Sequence, residues 1–188
     1  MKRKINSEAG FTLVEMLAAV VILVMLSLML GTGLQMTMDS YQKITAQSEV
    51  DLLASTAVNA LADDLRFARD VSVKTIDANQ AADYKKDCSN FNYTSDSFAG
   101  KELRIGLNDA GQIVVCENNG AGPAVREFLS SGAYGVMGAD GKRAYKVTED
   151  MSIAYKDGIF TIGLTVQAVA DPSIEATRDV TVRCLNQK

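Results

Sequence analysis

Glu15 is the only ionisable residue inside a long apolar run, and the chemistry open to its carboxylate is ion pairing. Residues 11–30 are apolar except for Thr12, Glu15 and Ser27. A charged carboxylate within an apolar membrane span costs roughly 2.5–3.5 kcal/mol. Glu15 therefore either stays close to the lipid headgroups, protonated or reaching water, or gains a positive partner when its helix packs against another copy of the chain.

The other residue types that carry chemistry are sparse. The sequence holds no histidine, which excludes a Ser/His/Asp set, and its three cysteines lie far apart without a CxxC pair, which argues against zinc. A formal net charge of -4 argues against a surface that neutralises nucleic-acid phosphates. We predict no catalytic residue, metal, cofactor or nucleic-acid partner. One disulfide is expected, either Cys116 with Cys184, since both fall in predicted strands, or Cys88 with Cys116.

The element that positions Glu15 is a helix long enough to cross a membrane. Residues 16–38 contain no formal charge, and about 20 apolar residues in a helix span the hydrocarbon core. The leader before this span carries Lys2, Arg3 and Lys4, whereas the first charge after it is Asp39. The positive-inside rule then predicts a single-pass protein of the cytoplasmic membrane, with a cytoplasmic N-terminus and an extracytoplasmic C-terminal domain.

The start of the span carries a family resemblance. After the basic leader the chain reads Gly10-Phe11-Thr12-Leu13-Val14-Glu15-Met16-Leu17, which resembles the cleavage signature of type IV pilins, type II secretion pseudopilins and competence pseudopilins. The resemblance implies that a prepilin peptidase cuts between Gly10 and Phe11 and that the new Phe11 terminus is N-methylated. It also implies that Glu15 neutralises the terminal amine of a neighbouring subunit.

The resemblance further implies a non-enzymatic filament subunit. Its expected partners are other pilin or pseudopilin subunits, the prepilin peptidase, an inner-membrane assembly platform and, before assembly, membrane lipid. Residues 64–71, Asp-Leu-Arg-Phe-Ala-Arg-Asp-Val, resemble minor subunits, whether of a pilus, a secretion system or a competence system. The alternative function is a membrane-anchored adhesin or binding module that never polymerises, which would need the span but not Gly10, Phe11 and Glu15 at their positions.

The helix is predicted to continue beyond the membrane. Residues 39–74 contain neither proline nor glycine. Apolar residues recur there at the three- and four-residue spacing of an amphipathic helix, at Leu53, Ala57, Leu61, Leu65 and Ala68. Gly31 and Gly33 weaken the helix locally, since each glycine costs about 1 kcal/mol relative to alanine; they predict either a flexible point or a patch for close helix packing.

The rest of the chain reads as strands, so the predicted fold is α+β, a long N-terminal helix packed on an antiparallel sheet of four to six strands. The predicted strands are 102–107 and 112–116 as a hairpin, 125–129 at an edge, 152–156 and 159–168 joined by Asp157-Gly158, and 177–185. Glycine-rich residues 130–143 read as a loop. The predicted divisions are a leader at 1–10, a membrane and filament-core helix at 11–38, its amphipathic continuation at 39–75, and a globular head at 76–188.

Overall fold

The structure, a computed structural model, describes residues 12–73, 86–95, 99–118, 123–135 and 143–186. Its longest element is α1, which runs without interruption from Leu13 to Arg66. Two compact units divide the chain, residues 1–44 and residues 45–188. In the first unit the described residues after Thr12 are all helical, and all of them are exposed.

In the second unit, α1 packs into the main core through the apolar stripe that the sequence predicts. Leu53, Ala57, Leu61 and Leu65 are each at most 4% exposed, and Ala68, just beyond the helix, is fully buried. Val50, Ala54 and Val58 lie on the same face and are also buried. Because residues 34–66 lack glycine and proline, nothing interrupts the backbone hydrogen bonds, and this buried face packs into the main core.

The helix ends at Arg66, so the prediction that it continues to residue 75 is wrong. Residues 69–73 form strand β1 instead, because the alternation in Arg69-Asp70-Val71-Ser72-Val73 suits a strand and a second strand, β3 at Phe91–Thr94, pairs with it. The three carbonyl groups at Arg66, Phe67 and Ala68 accept hydrogen bonds from the Leu185 amide, the Asn186 side chain and the Cys184 thiol. Residues 184–186 thereby close the end of the helix.

The strands fall into two antiparallel sheets rather than the single sheet expected. Their bounds are β1 Arg69–Val73, β2 Lys86–Asp87, β3 Phe91–Thr94, β4 Glu102–Leu107, β5 Ile113–Asn118, β6 Pro123–Glu127, β7 Tyr145–Val147, β8 Ser152–Lys156, β9 Ile159–Ala168 and β10 Glu175–Arg183. The first sheet follows the order β1-β3-β4-β5-β6, and β2 also pairs with β4. The second sheet has β9 at its centre, with β10 along one edge and both β7 and β8 along the other.

Both predicted hairpins are confirmed. β4 pairs with β5, and β8 pairs with β9 with the bounds that the sequence gives. Asp157 and Gly158 have φ values of 52° and 79°, which is the left-handed conformation that a two-residue hairpin turn requires at both positions. The edge strand β6 and the last strand β10 each begin two residues earlier than predicted. Within the predicted loop 130–143, Ser131–Tyr134 form a 3-10 helix.

The two sheets are joined through the short segment that follows β2. The Cys88 amide donates to the Ile105 carbonyl of the first sheet, and the Ile153 amide of the second sheet donates to the Cys88 carbonyl. Next to this junction the rings of Phe91 and Phe160 lie 5.0 Å apart, with Tyr155 4.8 Å from Phe160. The junction and its aromatic cluster place both sheets against one core.

Acidic side chains of α1 anchor the helix to both sheets. Asp64 accepts hydrogen bonds from the Tyr93 hydroxyl at 2.8 Å and the Ser95 hydroxyl at 2.5 Å. On the second sheet, Arg178 donates to Asp51 at 2.7 Å, and the Tyr145 hydroxyl donates to Glu49. These contacts fix which face of the helix meets the sheets, since each ties one helix position to one strand.

Three buried tyrosines, Tyr93, Tyr134 and Tyr145, should resist ionisation. Burial raises the pKa of Tyr134 and of Tyr145 to about 12, and the neighbouring carboxylate of Glu49 adds to the effect at Tyr145. Burial, together with Asp64, also raises the pKa of Tyr93. The folded pKa exceeds the unfolded value near 10, so these tyrosines favour folding below pH 10 and lose that contribution as the pH rises toward 12.

We therefore expect a chemical-denaturation series between pH 9 and pH 12 to show stability falling across that interval. Asp64→Asn keeps a hydrogen-bond acceptor for Tyr93 but removes the charge, so it should lower the pH at which the last, most resistant part of the tyrosinate absorbance appears. A final part of the titration unchanged by this substitution would contradict the contribution assigned to Asp64.

Candidate functional site

The candidate site is the start of α1, where Glu15 and Thr12 are joined by hydrogen bonds in both directions. The Glu15 carboxylate oxygen Oε2 accepts hydrogen bonds from the Thr12 amide and from the Thr12 hydroxyl, both at 2.9 Å. The Thr12 hydroxyl in turn accepts from the Glu15 amide at 3.3 Å. Thr-x-x-Glu is the capping-box sequence, in which two side chains satisfy amides that the helix start leaves unpaired. Capping is a second role of Glu15 that the predictions from sequence do not include, although the Thr12-x-x-Glu15 spacing signals it.

The capping box fixes where the negative charge lies. Its two hydrogen bonds from Thr12 engage a single carboxylate oxygen and turn the side chain toward the start of the helix. A carboxylate also suits that end of a helix, since the aligned backbone dipoles leave a partial positive charge there. The site therefore presents one carboxylate beside the N-terminal end of the described helix. Gly10 and Phe11 themselves lie outside the described residues.

The helix beyond the capping box has an apolar, exposed surface. Leu17, Leu23, Leu28 and Leu34 are each more than 60% exposed, as are many of their neighbours. α1 is long and apolar enough to cross a membrane, judged by its length and composition. An apolar surface of this size has to be covered, either by lipid or by other helices. This helix anchors the chain in a membrane.

Four hydroxyl side chains on that surface donate hydrogen bonds within the helix. The hydroxyl groups of Ser27, Thr37 and Ser40 each donate to the carbonyl four residues earlier, at 2.8 to 2.9 Å. Thr32 donates to the carbonyls of both Leu28 and Met29. Such back-bonding lets hydroxyl groups enter an apolar medium without an unpaired donor.

Gly31 and Gly33 lie within this stretch, inside regular helix. A methyl group built on either glycine would meet no atom within 4 Å, so neither glycine is required by packing inside the single chain. The flexible point predicted there, and the alternative of close packing against another helix, both remain predictions.

The cysteines occupy two different apolar clusters. Cys88 and Cys184 are buried in the main core, and the Cys184 thiol donates to the Ala68 carbonyl at 3.2 Å. Cys116 packs with Val114 and Val125 in a separate small cluster, because successive β5 side chains alternate between the two faces of the sheet. The disulfide pairings of Cys116 with Cys184 or Cys88 remain predictions, and both require thiols from these two clusters to meet.

Comparison with known families identifies the N-terminal segment. Residues 5–31 match the family model described as the prokaryotic N-terminal methylation motif. That match includes Gly10, Phe11 and the capping box. No curated protein and no solved structure matches the chain. The exposed apolar helix α1 begins inside this matched segment. The chain therefore carries the prepilin signal of type IV pilins and pseudopilins.

Proposed function

We propose that this protein is a minor pilin or pseudopilin, a structural subunit of a type IV pilus or of a filament of the type II secretion or competence kind. A prepilin peptidase removes residues 1–10, and the amine of Phe11 is methylated. The processed subunit stays in the membrane until its α1 packs against the helices of other subunits in the filament. It acts as a building block and carries out no reaction of its own.

The observation that carries the proposal is the single carboxylate at the start of the apolar helix surface. After Glu15, the next charge along α1 is Asp39. A lone charge in apolar surroundings is costly, whereas two opposite charges buried together offset much of that cost. Cleavage before Phe11 creates a positive amine, and a neighbouring copy carries the matching Glu15. The pair is complete only when copies pack side by side.

The orientation proposed follows from the flanking charges. Lys2, Arg3 and Lys4 hold the leader on the cytoplasmic side, where the peptidase and an inner-membrane assembly platform would act on the subunit. Residues 45–188 then lie outside the cytoplasm. Within this second unit, the acidic anchors of α1 and its buried stripe hold residues 45–66 of the helix against the sheets.

The first test is the N-terminal residue and the intact mass of protein purified from membranes of the native host. We expect a chain that begins at Phe11 and carries one additional methyl group. A strain that lacks the prepilin peptidase is the matched control, and there the chain should begin at Met1. A host protein that begins at Met1 despite an active peptidase would contradict the proposal.

A further inference from the structure

The helix α1 changes character over a few residues at the end of its apolar stretch. After Met38 the chain reads Asp39-Ser40-Tyr41-Gln42-Lys43, and Tyr41 is the one aromatic residue between positions 12 and 66. α1 continues through these residues without interruption, and all of them are exposed. We call residues 39–43 the collar, because this run is longer than one helical turn of 3.6 residues and so surrounds the helix with polar or aromatic side chains.

Before the collar, the surface of the helix is apolar on every side. Residues 20–24 read Val-Val-Ile-Leu-Val, and each of these side chains is at least 45% exposed. A helix that packs against one partner shows an apolar stripe, as residues 50–65 do, whereas a helix that is apolar all round is typical of a membrane span. Lipid therefore suits this part of α1 before any filament forms.

The length of the apolar stretch allows both of its ends to reach the headgroups of a bilayer. Residues 16–38 carry no charge and are roughly 35 Å long, compared with about 30 Å for the hydrocarbon core. A tilt of about 20°, the average for membrane helices, shortens this length only to ~33 Å. The charges that flank the stretch, at Glu15 and Asp39, can therefore both lie outside the hydrocarbon at the same time.

The side chains at the two ends of the stretch favour the headgroup layers. Hydrogen bonds from Thr12 at 2.9 Å turn the Glu15 carboxylate toward the helix start and away from the apolar stretch. At the other end, the ring of Tyr41 combines an apolar body with a hydroxyl group, and tyrosine is enriched where membranes meet water. The apolar stem of Lys43 lets its ammonium group reach lipid phosphates.

We propose that the collar binds the phospholipid headgroups of one leaflet, with the Tyr41 ring at their boundary with the acyl chains, while Glu15 remains among the headgroups of the opposite leaflet. This inference rests on the membrane stage of the proposed function and specifies it. Glu15 keeps its negative charge among water and headgroups as long as the subunit stays in the membrane. Its carboxylate needs the amine of a neighbouring subunit only when assembly removes both groups from the headgroup layer.

The test measures the depth of single tryptophan residues in a bilayer, since the chain contains no tryptophan of its own. Leu13→Trp, Leu26→Trp and Ser40→Trp report on the start of the helix, the middle of the stretch and the collar, and Ser40→Trp leaves Tyr41 in place. Leu52→Trp, at a position 67% exposed in the second unit, is the control. Each full-length variant is reconstituted in phosphatidylcholine vesicles whose acyl chains carry bromine, a short-range quencher, either near the headgroup or near the chain end.

We expect the shallow bromines to quench Leu13→Trp and Ser40→Trp about twofold more than the deep bromines do, and Leu26→Trp to show the reverse order, because half a hydrocarbon core, about 15 Å, separates the two depths. Leu52→Trp should respond to neither lipid and should be quenched by acrylamide in the water. Ser40→Trp fluorescence that behaves like that of Leu26→Trp or Leu52→Trp would overturn the placement of the collar. Stronger quenching of Leu13→Trp by the deep bromines would overturn the placement of Glu15.

Tyr41→Ala, combined with Ser40→Trp, tests the tyrosine ring itself. The excess of shallow over deep quenching should fall, because the collar loses the side chain that prefers the boundary between headgroups and acyl chains. An unchanged excess would overturn the contribution assigned to Tyr41.

The collar and the proposed function can fail separately. Cleavage before Phe11 in the native host, together with a deep Ser40→Trp, would overturn the collar and leave the filament subunit in place. A shallow Ser40→Trp in a chain that the host never cleaves would retain the collar and overturn the filament subunit.

Discussion

Glu15→Ala is expected to reach the membrane and to be cleaved before Phe11, yet to be absent from filaments. Insertion depends on the apolar run, and cleavage depends on the residues around Gly10, so neither process needs the carboxylate. The proposed packing against neighbours does need it, because the Phe11 amine would otherwise be buried without a counter-charge. Breaking a buried ion pair from one side costs about 3–5 kcal/mol, which corresponds to a loss of incorporation of at least 100-fold.

The matched variant is Glu15→Gln, because a capping box accepts glutamine in place of glutamate. It keeps a hydrogen-bonding partner for Thr12 and removes only the charge. Membrane content, N-terminal sequence and subunit content of sheared filaments should be measured for both variants in the native host. Failure of both variants supports the charge pair. Normal incorporation of Glu15→Gln would assign the effect of Glu15→Ala to helix capping, and normal incorporation of both would favour an anchored module that does not polymerise.

Phe160→Ala is expected to lower the unfolding temperature of the second unit by about 10 °C. Phe160 is fully buried, and its ring contacts Phe91 and Tyr155, so truncation leaves a cavity where the two sheets meet. Such substitutions cost about 3–5 kcal/mol, and each kcal/mol corresponds to ~2–4 °C for a domain of this size. Circular dichroism of the full chain in micelles measures the transition.

Phe67→Ala is the control for that experiment. Its side chain is 53% exposed, so the same truncation removes little buried surface and should change the unfolding temperature by less than about 3 °C. Similar shifts for the two variants would contradict the placement of Phe160 at the centre of the core. A loss of the micelle-bound helix signal in either variant would show that the substitution acts outside the second unit.

The sequence predicts the local patterns of this fold well. The apolar stripe from Leu53 to Ala68 is buried as expected, because helix periodicity depends only on residues within a few turns. The turn at Asp157-Gly158 lies where the sequence places it, because few residues adopt the left-handed conformation that a two-residue turn needs. Both patterns are set by residues that are close together in the sequence, so both can be recognised without a structure.

The features that the sequence does not predict depend on contacts between distant residues. The helix ends at Arg66 because β3 and residues 184–186 offer better partners to the following residues than another helical turn does. Hydrophobic periodicity alone continues past that point. The division into two sheets has the same origin, since the bridge through Cys88 joins residues far apart in the chain. The capping box, by contrast, is a local signal, since Thr-x-x-Glu stands in the sequence and needs no contact between distant residues.

The hydrogen bonds that close the end of α1 have a consequence for how the chain folds during synthesis. Residues 184–186 are made well over a hundred residues after Arg66 and Phe67, the residues whose carbonyl groups they bind. β10, the edge strand that leads into them, is likewise made long after α1. The second unit therefore cannot complete its fold until residues 184–186 have been made, and contacts between such distant residues form slowly. Until then the carbonyl groups at the end of α1 lack these partners.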